Sequence, residues 1–253
     1  MPHAFVIDFL SKKTLYQNDF FGKATHGLIF NIMKNMDIKL STEIHEQIKK
    51  CITIRTLKFD KNTFSLRVTL LDDELFNNFS KVLIFGSVAE FNLNGNPIFI
   101  TAVKGVNSKE NPLSGYSSYQ DFIDNVTTKN KFYFKIDTPI FFKKGENFSI
   151  LPTPIDFFGS LLRSWNTFST YKIDIDILNL IEKNVFVTSV DLQTKDFTIG
   201  KDISFIGTFG VIEFKTNNKD EDFLKKLNIL SDFAFFSGVG AKTTMGMGQV
   251  FRK

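Results

Sequence analysis

The sequence predicts an α+β protein of two tandem ferredoxin-like domains, each running strand, helix, strand, strand, helix, strand. Three observations predict it. The first hundred residues switch between period-two and helical apolar spacing in that order. A stretch rich in Ser, Asn, Gly and Pro, Asn107–Ser118, then breaks both patterns. The rest repeats the order more loosely and closes on a glycine-rich loop.

The first strand is His3–Leu10, where Phe5, Ile7 and Phe9 alternate with Ala4, Val6 and Asp8. Lys23–Met36 has helical spacing, with Leu28, Ile29, Ile32 and Met33 on one stripe. Ser41 is the expected N-cap of a short second helix through Ile44 and Ile48. Strands follow at Ile52–Phe59 and Phe64–Leu71, then a helix over Asp72–Phe85 and a strand pair around Asn94-Gly95-Asn96-Pro97.

With Asn107–Ser118 as linker, the expected domains are 1–115 and 116–253. In the second, Phe132–Phe142 is strand-like and Phe157–Trp165 is a short helix after Pro152-Thr153-Pro154. Val185–Leu192 and Ile203–Phe214 read as strands, Asp220–Phe236 as an amphipathic helix, and Gly248–Phe251 as the last strand. The halves share no repeat at the sequence level, so the duplication rests on element order. Most of the 31 phenylalanines sit at strand or helix spacing beside Ile, Leu and Val and are expected in the core.

Composition narrows the function classes. At 43% hydrophobic residues the chain is too apolar to be disordered. No apolar run approaches the ~20 residues of a membrane span, and Met1–Leu10 lacks the pattern of a secretory signal. Cys51 is the single cysteine, which excludes an intramolecular disulfide and the usual Cys-based zinc sites. Only His3, His26 and His45 could contribute imidazole, so no metal or cofactor is expected. A reducing cytoplasm fits this inventory. The net charge of +4 decides little, but its distribution is uneven. Lys49, Lys50, Arg55, Lys58, Lys61 and Arg67 are opposed only by Asp60, and no acid follows Phe233 while Lys242, Arg252 and Lys253 remain. Such runs form either a solvated face or a track for a phosphate backbone.

The segment Ser237-Gly238-Val239-Gly240-Ala241-Lys242-Thr243-Thr244-Met245-Gly246-Met247-Gly248-Gln249 lies between a helix and the last strand. Its glycines allow left-handed turns and close backbone approach. Its N–H groups, Lys242 and the hydroxyls of Thr243 and Thr244 suit phosphate oxygens, while a tight helix-to-strand connection would also use several glycines. It is not read as a nucleotide P-loop, because Phe236 and Ala241 stand where that motif needs glycine and only a few residues remain for the helix expected after it. It is not a dinucleotide fingerprint either, since Thr243 replaces the third glycine and a helix precedes it.

Gly238–Gln249, at the end of the chain after an amphipathic helix, resembles the glycine-rich signature of the repeat-associated RNA-binding (RAMP) superfamily. Within it the chain looks most like the CRISPR endoribonucleases that process precursor RNA. His26-Gly27-Leu28-Ile29-Phe30 resembles that family's first helix, and Glu43-Ile44-His45-Glu46 before a basic strand resembles its histidine motif. Pro152, Ser160-Leu161-Leu162-Arg163-Ser164-Trp165 and Phe205-Ile206-Gly207-Thr208-Phe209-Gly210 resemble its C-terminal half. The resemblance is weakest from Asp60 to Lys131.

The resemblance implies RRM-like domains in the cytoplasm, binding CRISPR repeat RNA within precursor crRNA. It implies attack of the RNA's own 2′-hydroxyl on the adjacent phosphate, leaving a 2′,3′-cyclic phosphate and a 5′-hydroxyl without metal. His45 matches the catalytic histidine; its bland reading is a surface histidine on a short helix. Lys50 stands where the family often has a lysine for the transition state; the competing reading is a solvated lysine. Some relatives use a tyrosine in the first helix, and Phe30 occupies the apparent position, so either His26 supplies that group or His45 and Lys50 suffice. His26 also borders the apolar stripe, as a structural histidine would. Gly238, Gly240, Lys242, Thr243, Thr244, Gly246, Gly248, Lys49 and Arg55 are the expected RNA contacts. Service to a CRISPR effector complex and a homodimer are compatible partners. The rival reading is a non-catalytic RAMP subunit that binds guide RNA and has no need of His45.

Overall fold

The computed structural model describes residues 1–16, 22–34, 51–85 and 90–253. It falls into two units: Met1–Ser117 with Thr198–Ser204 and Thr244–Gly246, and Ser118–Phe197 with Phe205–Thr243 and Met247–Lys253.

The first unit contains β1 (His3–Ser11), α1 (Gly22–Lys34), β2 (Ile52–Asp60), β3 (Thr63–Leu70), α2 (Asp73–Phe85), β4 (Phe91–Leu93), β5 (Asn96–Lys104) and β6 (Gly115–Tyr116). Its antiparallel sheet runs β2-β3-β1-β5-β4, with β6 also paired to β1. Two strands joined by a hairpin lie on one side of β1 and the strand after α2 lies on the other, which is the ferredoxin-like order. Alternation along β1 sets the register: Phe5, Ile7 and Phe9 stand opposite Val68, Leu66 and Phe64, all six buried. Leu28, Ile29 and Ile32 of α1 are buried as their spacing requires. The helix expected from Ser41 lies outside the described residues. Asn107–Ser118 is not a bare linker: Gly115 and Tyr116 pair with β1, and the fully buried Ser114 bonds the carbonyls of Val106 and Asn111.

The second unit contains α3 (Tyr119–Asp124), β7 (Lys131–Ile140), β8 (Phe142–Lys144), β9 (Asn147–Ser149), α4 (Pro154–Phe168), α5 (Ile177–Asn184), β10 (Val185–Gly200), β11 (Ile203–Thr216), α6 (Glu221–Ser237), a 3₁₀ turn (Thr243–Met245) and β12 (Val250–Arg252). The hairpin tip and the turn's second and third residues fall in the first unit. The sheet order β10-β11-β7-β12 repeats the arrangement of the first sheet, so the fold is two tandem ferredoxin-like domains. The phenylalanines do build the core. Phe157 of α4 lies 4.7 Å from Phe134 and 5.1 Å from Phe214, ring centre to ring centre, and all three are fully buried. Such tilted pairs each add about 0.5–1.5 kcal/mol to what burial supplies. Asp220 caps α6 by accepting from the Phe223 N–H, and Gly238 ends it with its N–H on the Ala234 carbonyl.

Candidate nucleic-acid interface

The glycine-rich loop leaves α6 at Gly238 and reaches β12 through the turn Thr243–Met245. Gly238, Gly240, Gly246 and Gly248 have φ of 62°, 86°, 95° and 78°, and Lys242 has 59°. All lie in the left-handed region that glycine tolerates and other residues adopt at a cost.

Most of the loop's backbone is committed to the protein itself. Val239 N–H donates to the Gly248 carbonyl at 2.8 Å, Ala241 N–H to Phe141 at 2.9 Å and Gly248 N–H to Pro139 at 3.0 Å. Gly240 N–H donates to the Ser160 hydroxyl and Gln249 N–H to that of Thr138, both at 2.9 Å. A Cβ on Gly240 would lie 2.5 Å from the Phe141 oxygen, and one on Gly248 2.5 Å from that of Val239. These glycines answer to internal crowding. The N–H groups of Val239, Gly240, Ala241, Gly248 and Gln249 are thus used inside the protein, and the apex of the loop is Lys242–Gly246.

Lys242 is exposed, with its ammonium 5.6 Å from the centre of the Phe205 ring, which stacks on Phe141. Thr243 is half-buried and Thr244 is buried, so their hydroxyls are not equal partners of Lys242. Arg252, counted above among the C-terminal cations, is tied to Asp232 at 2.7 Å and lies over Phe132.

His26 is half-buried, with Nδ1 3.3 Å from the Thr244 carbonyl and its ring centre 4.2 Å from that of Phe30. Phe30 is buried and has no hydroxyl to move a proton. Gly22, which sequence reasoning passed over, opens α1 so close to the loop that a Cβ would meet the Met245 oxygen at 2.1 Å. Its only sequence signal is a glycine just ahead of the first helical stripe.

Of the basic run, Arg55 is half-buried and Lys58 and Lys61 are exposed. Arg67 is fully buried, which corrects its place on a surface stripe. His45, Lys49 and Lys50 lie outside the described residues. Cys51 is buried, and burial, then Asp72, push its thiol up to about 12, which leaves no thiolate to act as nucleophile. Among the described residues no group of three or more His, Cys, Asp or Glu could hold a metal ion, and no helix is long and apolar enough to cross a membrane.

Comparisons with known proteins agree on one family. Residues 134–250 match the family described as CRISPR-associated endoribonuclease Cas6, and residues 1–65 match the CRISPR Cas6 N-terminal domain. A CRISPR-associated endoribonuclease Cas6 of Streptococcus thermophilus is 23% identical over 228 residues, 89% of this chain and 88% of its own. A Cas6 product complex superposes with a TM-score of 0.89 at 28% identity, covering 100% of this chain and 99% of that one. Cas6 of Thermus thermophilus gives 0.80 at 27%, covering 100% and 98%. With matches at both ends and a likeness running the whole length, the chain belongs to the Cas6 family of CRISPR-associated endoribonucleases.

Proposed function

We propose that this protein binds CRISPR repeat RNA and cuts precursor crRNA by attack of the 2′-hydroxyl on the adjacent phosphate, without a metal ion, leaving a 2′,3′-cyclic phosphate and a 5′-hydroxyl. The observation that carries the proposal is the end-to-end likeness to Cas6, including a Cas6 solved as a product complex, in a chain that keeps Glu43-Ile44-His45-Glu46 ahead of basic β2.

The reaction needs a base for the 2′-hydroxyl, an acid for the leaving oxygen, and positive charge on the phosphorane. An imidazole titrating near pH 6.5 serves as base or acid at neutral pH, and His45 takes that role here. Lys50 supplies charge to the crowded phosphate. Lys242 at the loop apex, with Lys49 and Arg55, holds the flanking backbone.

The test uses labelled repeat RNA in excess chelator. One discrete cut is expected, abolished when the ribose just upstream of it is 2′-deoxy. Cleavage of the deoxy substrate, or activity only with added magnesium, would rule this mechanism out.

A further inference from the structure

Three residues on one stripe of α1 face the apex of the glycine-rich loop or support the residue that does. Gly22, His26 and Phe30 follow one another at a spacing of four, which puts them in line along the helix. At Gly22 the helix backbone comes so near the Met245 carbonyl that no side chain fits between them. One turn on, His26 lies 3.3 Å from the preceding carbonyl, that of Thr244. A carbonyl oxygen only accepts, so Nδ1 carries the proton and donates. Phe30 packs against that imidazole. Two consecutive carbonyls of the 3₁₀ turn are thus met by α1.

This matters for the loop's single cation. Lys242 immediately precedes the turn and holds φ of 59°, a conformation that costs a non-glycine residue about 1–2 kcal/mol. Such a backbone persists only where its surroundings fix it. Thr244, two residues further on, meets α1 through His26.

We propose that the first two turns of α1 are the seat of the glycine-rich loop, and that His26 is a positioning residue which, with Gly22, aims Lys242 at the RNA backbone. The proposal rests on the reading of the loop as an RNA contact. It gives His26 a role whether or not it also moves a proton.

The experiment is binding of the full-length protein to fluorescent repeat RNA made uncleavable by a 2′-deoxy ribose at the cut, across a salt series. His26→Ala should weaken binding about threefold to tenfold, the worth of one hydrogen bond. His26→Asn, which keeps an N–H donor near the place of Nδ1, should restore it. Gly22→Ala should weaken binding like His26→Ala, while Gly27→Ala, whose Cβ would meet nothing within 4 Å, should not. The decisive reading is coupling: Lys242→Ala should weaken binding and flatten its salt dependence in the wild type, yet add little to His26→Ala. Additive losses in folded variants, or failure of His26→Asn to restore affinity, would overturn the seat. A wild type that does not bind repeat RNA sinks the underlying reading, and the seat with it.

Discussion

Arg55 and Arg67 stand opposite each other in the β2–β3 ladder, two like charges in one cross-strand pair. Arg67 is the fully buried partner. Its Nε donates to the Leu113 carbonyl at 2.8 Å and its Nη1 to the Thr69 hydroxyl at 3.0 Å, and that hydroxyl also accepts from Thr53 at 2.8 Å. Burial, and after it Arg55, lower the guanidinium to about 9, which leaves it charged at neutral pH. Arg67 therefore ties the segment before β6 to β3 by charged hydrogen bonds.

Arg67→Lys keeps the charge and loses the fork that reaches both acceptors. A hydrogen bond to a charged group is worth roughly 1.5–3 kcal/mol. The variant should lose about that much stability in urea unfolding, and protease should cut first between Gly105 and Ser117. An unchanged midpoint would show that the guanidinium is not what holds this segment.

His3 makes stability depend on acid. It is buried, its Nε2 has no hydrogen-bond partner among the described residues, and its ring stacks on Phe76 with centres 3.5 Å apart. Burial, then the N-terminal ammonium, lower its pKa from 6.5 to about 4, against a smaller opposing pull from Asp73. The unfolded chain takes up this proton first as pH falls, so native stability drops between about pH 6.5 and pH 4. The slope approaches 1.36 kcal/mol per pH unit, or about 2 kcal/mol lost by pH 5. His3→Phe keeps a ring in the stack and removes the titration. Its denaturation midpoint should therefore fall less than the wild type's from pH 7 to pH 5. Parallel curves for the two proteins would exclude His3 as the cause.

How far the sequence reveals the molecule differs between fold and site. Apolar residues at period two announce a strand, as Phe5, Ile7 and Phe9 do in β1. The far half of β10 does not, because Gln193–Asp196 are all exposed and no binary pattern marks them. Helix α5 gives little signal for a related reason: Ile173 and Ile175 alternate with Asp174 and Asp176 just ahead of it, and only Ile177 and Ile181 of its own residues are buried. The glycine-rich loop was legible in place and only partly in role. That Gly240 yields to the Phe141 oxygen, or that Gly22 yields to Met245, depends on chain segments far apart in sequence. Arg67 reads as one more surface cation for the same reason, since its acceptor at Leu113 lies 46 residues away.

His45 is the residue on which the catalytic reading turns, and it stands on motif alone. It lies in the segment that separates the nuclease family from RAMP relatives that only bind RNA, and a basic strand follows it. A positioned general acid or base contributes about a hundred- to ten-thousand-fold in rate. His45→Ala should thus lose at least about a hundredfold in single-turnover cleavage, while binding uncleavable repeat RNA almost as the wild type does, since a neutral imidazole adds little to phosphate attraction. The pH–rate profile should lose the limb near pH 6.5 that a histidine supplies. Rapid cleavage by a folded His45→Ala variant would move proton transfer elsewhere. The first place to look would be His26, the other imidazole that the family resemblance marks and one whose Nδ1 is already committed to the Thr244 carbonyl. In that case His26→Asn would bind RNA and fail to cut it.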